Sequence, residues 1–208
     1  MPLKNILKLV VCAAALQVGS FTVKADDKSP WLVRGRLIDV VPSENSTVSI
    51  NGEVSSGNSI VPELDISYFW NDHFATELIL ATSKHTIGAI DTDLGDLDIG
   101  HVWALPPTLL AQYHFNPDGQ IRPYIGAGIN YTIFHSADAG DLASIDYSNS
   151  VGFAFQAGVD IGITDNWAFN LDTKKIYINT DVSINDGAVT ADVDLNPWVF
   201  GAGFAYRF

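Results

Sequence analysis

The chain has 208 residues, of which 47% are hydrophobic and 17% charged, and its 24 acidic and 11 basic side chains give a formal net charge of −13. So many aromatic and apolar residues with so few charges exclude a disordered chain. The acidic balance excludes a nucleic-acid reader, which needs clustered Lys and Arg to displace counterions from phosphates. The length fits one folded domain, or two.

The first 25 residues have the pattern of a secretory signal peptide. A basic start precedes an apolar run over 9–21, and small residues follow up to Ala25. A membrane helix is the alternative, but the run is shorter than the roughly 20 residues that cross a bilayer. We therefore expect 1–25 to be removed and 26–208 to form the mature domain. Cys12 leaves with the signal, so the exported chain must gain its stability from a core or a membrane rather than from disulfides.

Apolar residues in the mature chain recur with a period of two, which is typical of strands. No apolar stretch of 18 residues follows position 26, so helical membrane spans are excluded by length. Large apolar side chains share one face over 124–133, 150–161 and 198–208, with small or polar residues on the other. Continuing this alternation predicts eight strands, at 30–41, 60–70, 73–87, 100–115, 121–134, 150–162, 166–180 and 195–208.

Short and long connections alternate between these strands. The short ones lie around 71–72, 116–119 and 164–166, and the long ones at 42–59, 88–99, 135–149 and 181–194. Short periplasmic turns and longer extracellular loops are typical of outer-membrane barrels. We therefore predict an all-β fold, an eight-stranded antiparallel transmembrane β-barrel. The alternative is a soluble sandwich or a lipocalin-like barrel with its apolar faces inward.

Three features favour the membrane barrel. The polar strand faces hold mainly Gly, Ser, Asn, Gln and Ala with isolated charges, which suits a confined lumen better than a solvated surface. Aromatic residues gather where strands meet the short turns, as in an interfacial girdle: Trp31, Tyr68, Trp70, Phe74, Tyr113, Phe115, Trp167, Phe169, Tyr206 and Phe208. The long loops contain acidic residues and neither Lys nor Arg: Glu44, Glu53, Asp91, Asp93, Asp96, Asp98, Asp138, Asp141, Asp146, Asp181, Asp186, Asp192 and Asp194.

Several segments together resemble the OmpW/AlkL family of outer-membrane barrels. The most specific are Pro-Pro-Thr at 106–108 and Arg-Pro-Tyr-x-Gly-x-Gly at 122–128, and others lie at 31–42, 77–85, 105–115, 156–160, 196–198 and 206–208. The resemblance spans essentially the whole mature chain. It implies a barrel in the outer membrane of a Gram-negative bacterium that lets small, mainly hydrophobic molecules pass passively and leave sideways through the wall.

Strand parity predicts which side chains line the lumen. An eight-stranded barrel is only wide enough for its own side chains, so we expect no open aqueous pore. The charged members form a plug that forces a lateral exit, or they only satisfy one another as buried charges. Two apolar members, Phe69 and Leu110, line a constriction or fill the core. The predicted lumen-lining residues are Arg34, Arg36, Glu63, Asp65, Ser67, Phe69, Glu77, Leu110, Gln112, His114, Tyr124, Asn130, Gln156, Asp160, Asn170, Asp172, Lys174 and Arg207.

Catalysis and metal binding have weaker support. His85, His101 and His135 fall near outer strand ends, with Ser83, Ser136 and Glu77 nearby in sequence, but no nucleophile motif frames them. The carboxylates at 91–98 lack the ligand spacing of a calcium loop, so at most weak binding of divalent cations is expected. We predict no enzyme, no cofactor and no specific metal site.

Expected partners follow from the membrane location. They are outer-membrane lipids and lipopolysaccharide, small apolar solutes, and the barrel-assembly machinery, which would read the C-terminal Tyr206, Arg207 and Phe208. A closed barrel has no free strand edge, so we expect a monomer. The main alternative function is a structural or receptor barrel whose acidic loops bind phage, bacteriocin or host partners.

Overall fold

A computed structural model describes residues 29–43, 45–48, 53–90, 97–138, 144–185, 187 and 189–208. The predicted signal peptide lies outside these residues, as do the predicted loop acids Glu44, Asp91, Asp93, Asp96, Asp141 and Asp186. No helix in the described part of the chain is long and apolar enough to cross a membrane. The described residues form β1 (Trp31–Val41), β2 (Asn45–Val48), β3 (Glu53–Ser56), β4 (Ser59–Phe69), β5 (Phe74–Ala81), β6 (Ser83–Ile90), β7 (Leu97–Leu105), β8 (Thr108–His114), β9 (Ile121–Asp138), β10 (Ile145–Tyr147), β11 (Ser150–Gly162), β12 (Trp167–Ile176), β13 (Asn179–Ile184), β14 (Val189–Asp194) and β15 (Trp198–Arg207).

Eight of these strands close into an antiparallel barrel, as the alternation predicted. The ring runs β1–β4–β5–β8–β9–β11–β12–β15 and returns to β1, which pairs with β15 over ten residue pairs. The pairing of β9 with β11 completes the circle. Each of these eight strands therefore pairs with a neighbour on both sides, which is what a bilayer demands of a spanning sheet.

The alternation of the sequence becomes an inside and an outside. In β1 every second residue from Leu32 to Val40 is buried, while its neighbours are exposed or half-buried. The outward side chains include large apolar ones that water would disfavour, such as Leu37, Val151 and Phe153, which are 64%, 77% and 66% exposed. An apolar exterior with a polar interior inverts the pattern of a soluble barrel and suits a lipid environment.

Aromatic rings form contacts around the end of the barrel that carries the short turns. Tyr68 lies edge-on between Trp31 and Trp70, with ring centroids 4.9 and 5.0 Å away. Trp167 contacts Tyr206 in the same way at 4.9 Å. Amphipathic rings at one level position this end at a membrane–water interface.

The four stretches predicted as long loops are in part strands, which corrects the sequence prediction. β6, β7 and the outer part of β9 continue the wall upward, and β3 pairs with β6, while β10, β13, β14 and β2 form a separate four-stranded sheet. β6 with β7 and β13 with β14 form local hairpins, whereas the short strands β2, β3 and β10 pair with strands far from them in the chain. The predicted strands at 73–87 and 100–115 are each interrupted, at Thr82 and at residues 106–107.

Candidate functional site

The interior of the barrel contains a network of paired charges built from alternate residues of several strands. Arg34 on β1 is fully buried, and its Nη1 lies 2.7 Å from Glu77 Oε1 on β5. Its Nη2 lies 2.8 Å from Asp160 Oδ2 on β11. Ser67 on β4 accepts a further hydrogen bond of 3.0 Å from Nη1. One guanidinium thus joins four strands around the barrel, because its several donors can reach separate partners.

A second set of ion pairs lies around Arg36, two residues further along β1. Its Nε donates to Glu63 Oε1 at 3.0 Å, its Nη1 lies 3.1 Å from Asp172 Oδ2, and its Nη2 bonds Asp65. Lys174 Nζ bridges Glu63 and Asp172, at 2.7 Å from each. These five residues bind β1, β4 and β12 together across the lumen.

Amides and a tyrosine fill the remaining polar positions. Gln112 and Gln156 each donate to Glu77 Oε2 at 2.8 Å, and Gln112 also donates to Gln156 at 2.7 Å. Tyr124 donates to Asp172 Oδ2 at 2.9 Å and accepts from Asn170 at 3.0 Å. The network is therefore continuous from wall to wall.

Three cations and five carboxylates make up the charged part of this network, a formal balance of −2 (Arg34, Arg36 and Lys174 against Glu63, Asp65, Glu77, Asp160 and Asp172). All eight side chains are at most 2% exposed. Buried charges are tolerated only when paired and hydrogen-bonded, and each of these eight side chains has at least one partner of opposite charge. We call this set the ion plug, since it occupies the middle of the lumen.

The absence of a side chain at Gly158 makes room for Tyr124, which bonds a carboxylate of the plug. A side-chain carbon at this position would overlap the Tyr124 ring and approach Leu171 O to 2.8 Å. Only glycine at this position leaves room for the Tyr124 ring where its hydroxyl reaches Asp172. The small residues of the polar strand faces thus make room for the large side chains opposite.

The structure buries the predicted lumen-lining residues with one exception, Arg207, which is half-buried. Phe69 and Leu110 do not share one constriction. Phe69 packs with Leu32 and the small residues of the turn end and lies 4.1 Å from the guanidinium of Arg207. Leu110 belongs to a separate apolar cluster beyond the plug.

Other predicted lumen residues lie at the margins of the plug. His114 stacks on Tyr124 at 5.1 Å between ring centroids, and its Nε2 lies 3.1 Å from Gln112 Oε1. Asn130 is on the far side, where it donates to Thr108 Oγ1 at 2.8 Å. These contacts hold neighbouring strands in register without adding charge.

An apolar cavity lies between the ion plug and the outer strand ends. Its empty space is about 780 Å³ including the part open to solvent. The lining is mainly apolar, with Glu63 of the plug also in it, and includes Ile38, Val40, Ile79, Val102 and Val199. A mainly apolar lining with a few polar groups is typical of a small-molecule site. We call it the upper cavity.

A second cavity lies on the turn side of the plug. Its empty space is about 480 Å³ including the part open to solvent, and charged and polar side chains such as Asp72, Arg122 and Arg207 line it along with Phe69. The plug therefore separates an apolar space from a polar one.

The apolar lining is the part of the site that sequence reasoning missed. On β1 the inward residues change from Arg34 and Arg36 to Ile38 and Val40, all on the same parity. This switch could have indicated that the lumen changes from polar to apolar along its length. Val102 lies in the predicted strand at 100–115 on the same parity as Leu110, so the same count could have placed it in the lining.

The wall of the upper cavity is interrupted beside two prolines. The ladder of β5 with β8 ends at Ile79 and Thr108, and the ladder of β6 with β7 begins at Ser83 and Ala104, in unchanged register. Between them no ladder pair joins residues 80–82 to 105–107. Proline has no N–H to donate, so this interruption exposes fewer unsatisfied groups to lipid than any other residues would.

The neighbouring seam is open in the same region. The ladder of β4 with β5 ends at Glu63 and Ala81, and residues 59–62 of β4 have no ladder pair with β6. Two adjacent seams therefore stop at the same height. Seven residues separate this height from the aromatic end of β5, which places it about 18 Å above that interface for a tilted strand. Because the apolar band of such barrels is about 25 Å tall, the interruption faces the outer leaflet.

Histidine and acidic side chains form no metal site in the described residues. No group of three or more His, Cys, Asp and Glu side chains there could hold a metal ion. His101 and His135 lie on the outer surface of the wall extension, away from the cavity. Three of the four carboxylates at 91–98 fall outside the described residues.

A closed antiparallel barrel with a lipid-facing apolar exterior and a plugged interior defines a small outer-membrane barrel protein. The chain belongs to the OmpW family, whose model matches residues 27–208. It is 39% identical to the uncharacterized outer-membrane protein y4mB of Sinorhizobium fredii over 188 residues, 86% of this chain and 80% of that one. It is 29% identical to the dibenzothiophene metabolism operon protein PahQ of Pseudomonas aeruginosa, over 88% of this chain and 90% of that one.

Solved structures agree with this assignment. The crystal structure of outer membrane protein OprG from Pseudomonas aeruginosa superimposes with a TM-score of 0.81 and 27% identity, over 87% of this chain and 97% of that one. The protein is therefore an OmpW-family barrel of the Gram-negative outer membrane, as the resemblance of its segments indicated.

Proposed function

We propose that the barrel lets small, mainly hydrophobic molecules cross the outer layer of the membrane passively and leave through the wall into the hydrocarbon of the bilayer. The observation that carries this proposal is an apolar cavity that ends on the ion plug and adjoins the interrupted wall. PahQ is named for an operon of dibenzothiophene metabolism, and dibenzothiophene is a small apolar aromatic molecule. That name supports solutes of this kind.

The plug makes a straight path through the barrel unfavourable. An apolar solute would have to separate ion pairs such as Arg36 with Glu63, and leaving a buried charge unpaired is strongly destabilising. The sideways path has no such barrier. It leads from the apolar lining past Pro106 to lipid tails of similar polarity, so no energy source is needed.

A direct test of entry fills the cavity. Ala104 is buried and lines it, whereas Ala111 on β8 faces outward. Whole Gram-negative cells that carry the protein should accumulate naphthalene faster than cells that lack it. Ala104→Phe should abolish the gain, and Ala111→Phe, which adds the same ring on the lipid side, should keep it.

A reversible cross-link tests the sideways exit. The register shared by the flanking ladders places Ala81 opposite Pro106 across the interruption. The predicted mature chain has no cysteine, so Ala81→Cys with Pro106→Cys introduces the only pair. We expect oxidation to stop naphthalene uptake and reduction to restore it, with mass spectrometry to verify the bond. Uptake that continues through the cross-linked barrel would refute the lateral route.

A receptor role is the second candidate. The observation that favours it is the separate outer sheet, where Asp181 and Asp192 are cross-strand neighbours and both are exposed. Unchanged naphthalene uptake with a verified, folded barrel would exclude passage of this probe and favour the receptor.

A further inference from the structure

A serine and a histidine lie together in the apolar wall of the upper cavity. Ser83 and His85 are two residues apart on β6, so their side chains face the same side, and both line the cavity. Ser83 Oγ is 2.8 Å from His85 Nε2. The pair directly follows Thr82, where the wall is interrupted.

Other polar groups of the lining are already engaged. Thr108 Oγ1 donates to Pro106 O at 3.0 Å and accepts from Asn130, and Thr132 Oγ1 donates to Asn130 Oδ1 at 2.7 Å. Glu63 is held by two cations of the plug. Ser83 differs, because among the residues that the structure describes its hydroxyl bonds the imidazole of its neighbour alone.

This pair retains hydrogen-bonding capacity in either tautomer. If Nε2 of His85 carries the hydrogen, it donates to Ser83 Oγ and the serine hydroxyl is left to donate elsewhere. If Nε2 is bare, the serine donates to it and keeps two acceptor lone pairs. The pair can therefore meet either a donor or an acceptor.

We propose that Ser83 and His85 form a subsite for the single hydroxyl or carbonyl group of an otherwise apolar solute. The inference rests on the proposed function, and it extends the expected solutes from bare hydrocarbons to molecules with one polar group, such as phenols, alcohols and ketones. A polar group that enters an apolar cavity loses its bonds to water, which opposes entry unless a partner replaces them. The subsite replaces one such bond beside the exit.

Two probes with the same ring system test this subsite. Purified barrel in phospholipid vesicles is titrated with 1-naphthol and with naphthalene, and the binding of each is followed by its own fluorescence. The measured quantity is the ratio of the two affinities. In Ser83→Ala the affinity for 1-naphthol relative to that for naphthalene should fall about threefold to tenfold, which corresponds to the loss of one neutral hydrogen bond.

Matched variants separate the subsite from general damage. Ser83→Thr keeps the hydroxyl and should keep the ratio, and so should Thr86→Ala, which alters an exposed residue on the other face of β6. A ratio that Ser83→Ala leaves unchanged, with naphthalene still bound, would overturn the subsite alone. If the wild-type barrel binds neither probe, the proposed function fails and the subsite fails with it.

Discussion

Lys174→Met is the sharpest test of how the ion plug stabilises the barrel. Lys174 Nζ lies 2.7 Å from both Glu63 Oε1 and Asp172 Oδ1, and its side chain is 1% exposed. Methionine is similar in length to lysine and as apolar as the lysine stem, but it carries no charge. The substitution changes the formal balance of the plug from −2 to −3 and leaves two buried carboxylates with Arg36 as their shared cation.

Removing one partner of a buried ion pair destabilises a protein by about 3–5 kcal/mol. Arg36 still contacts both carboxylates, at 3.0 and 3.1 Å. We therefore expect the lower end, about 3 kcal/mol, which is roughly a hundredfold in the unfolding equilibrium. The adjacent Lys175 supplies the control, because it points outward, bonds Asn196 O at 2.5 Å and lies over the Trp198 ring at 5.1 Å. Lys175→Met should lower the free energy of unfolding by at most about 1 kcal/mol, as for an exposed charge.

Reversible urea unfolding in phospholipid vesicles measures both variants. The chain has five tryptophans whose fluorescence reports the transfer from lipid to water. Equal losses for the two lysine variants, or a loss under 1 kcal/mol for Lys174→Met, would refute the view that the plug needs each of its cations.

Three further predictions concern packing, the wall and the lipid face. Gly158→Ala should displace the Tyr124 ring and lower the free energy of unfolding by about 1–3 kcal/mol, as overpacking does. Gly35→Ala, whose added carbon meets no heavy atom within 4 Å, should change it little. A similar loss in both variants would contradict the packing argument. Alanine in place of Pro106 supplies one N–H group on the side of the interrupted seam, since Pro107 O accepts from Tyr131 N and therefore faces β9. Amide exchange should find the new N–H group protected and naphthalene uptake should fall; uptake at the wild-type rate with a protected amide would dissociate the seam from exit. Leu37→Arg on the lipid face places a charge near the bilayer midplane and should lower the free energy of unfolding by about 2–4 kcal/mol. The same urea titration measures this loss. An unchanged free energy of unfolding would place Leu37 outside the hydrocarbon.

The strand alternation predicted the barrel and the direction of its side chains because facing is a local property. Successive side chains of a strand point to opposite sides, so the parity of Arg34, Arg36 and Lys174 could be counted without knowing any partner. The short turns and aromatic ends predicted the number of strands and the membrane orientation by the same local reading. Strand alternation did not predict the extended hairpins, because β2, β3 and β10 have only three or four residues each and show too few alternations to be recognised.

Strand alternation could not predict which inward residues form ion pairs with one another. Arg34 meets Glu77 and Asp160, which follow it by 43 and 126 positions. Which residues share a height depends on the register of every ladder around the ring, and a shift of one residue would reverse the facing of a whole strand. Phe69 and Leu110 illustrate the point, because their common parity is correct but closure of the barrel puts them on opposite sides of the plug.

The amino-acid sequence by itself therefore determined a two-faced, eight-stranded, membrane-embedded sheet, because period, charge and turn composition are written along one chain. Only the tertiary structure decided that the inward charges combine into one plug, that an apolar cavity lies above it, and that the wall is interrupted beside Pro106. Those features arise where strands distant in sequence are brought to one height, and the physical reason is that ladder register, unlike side-chain parity, is a property of strand pairs rather than of any strand alone.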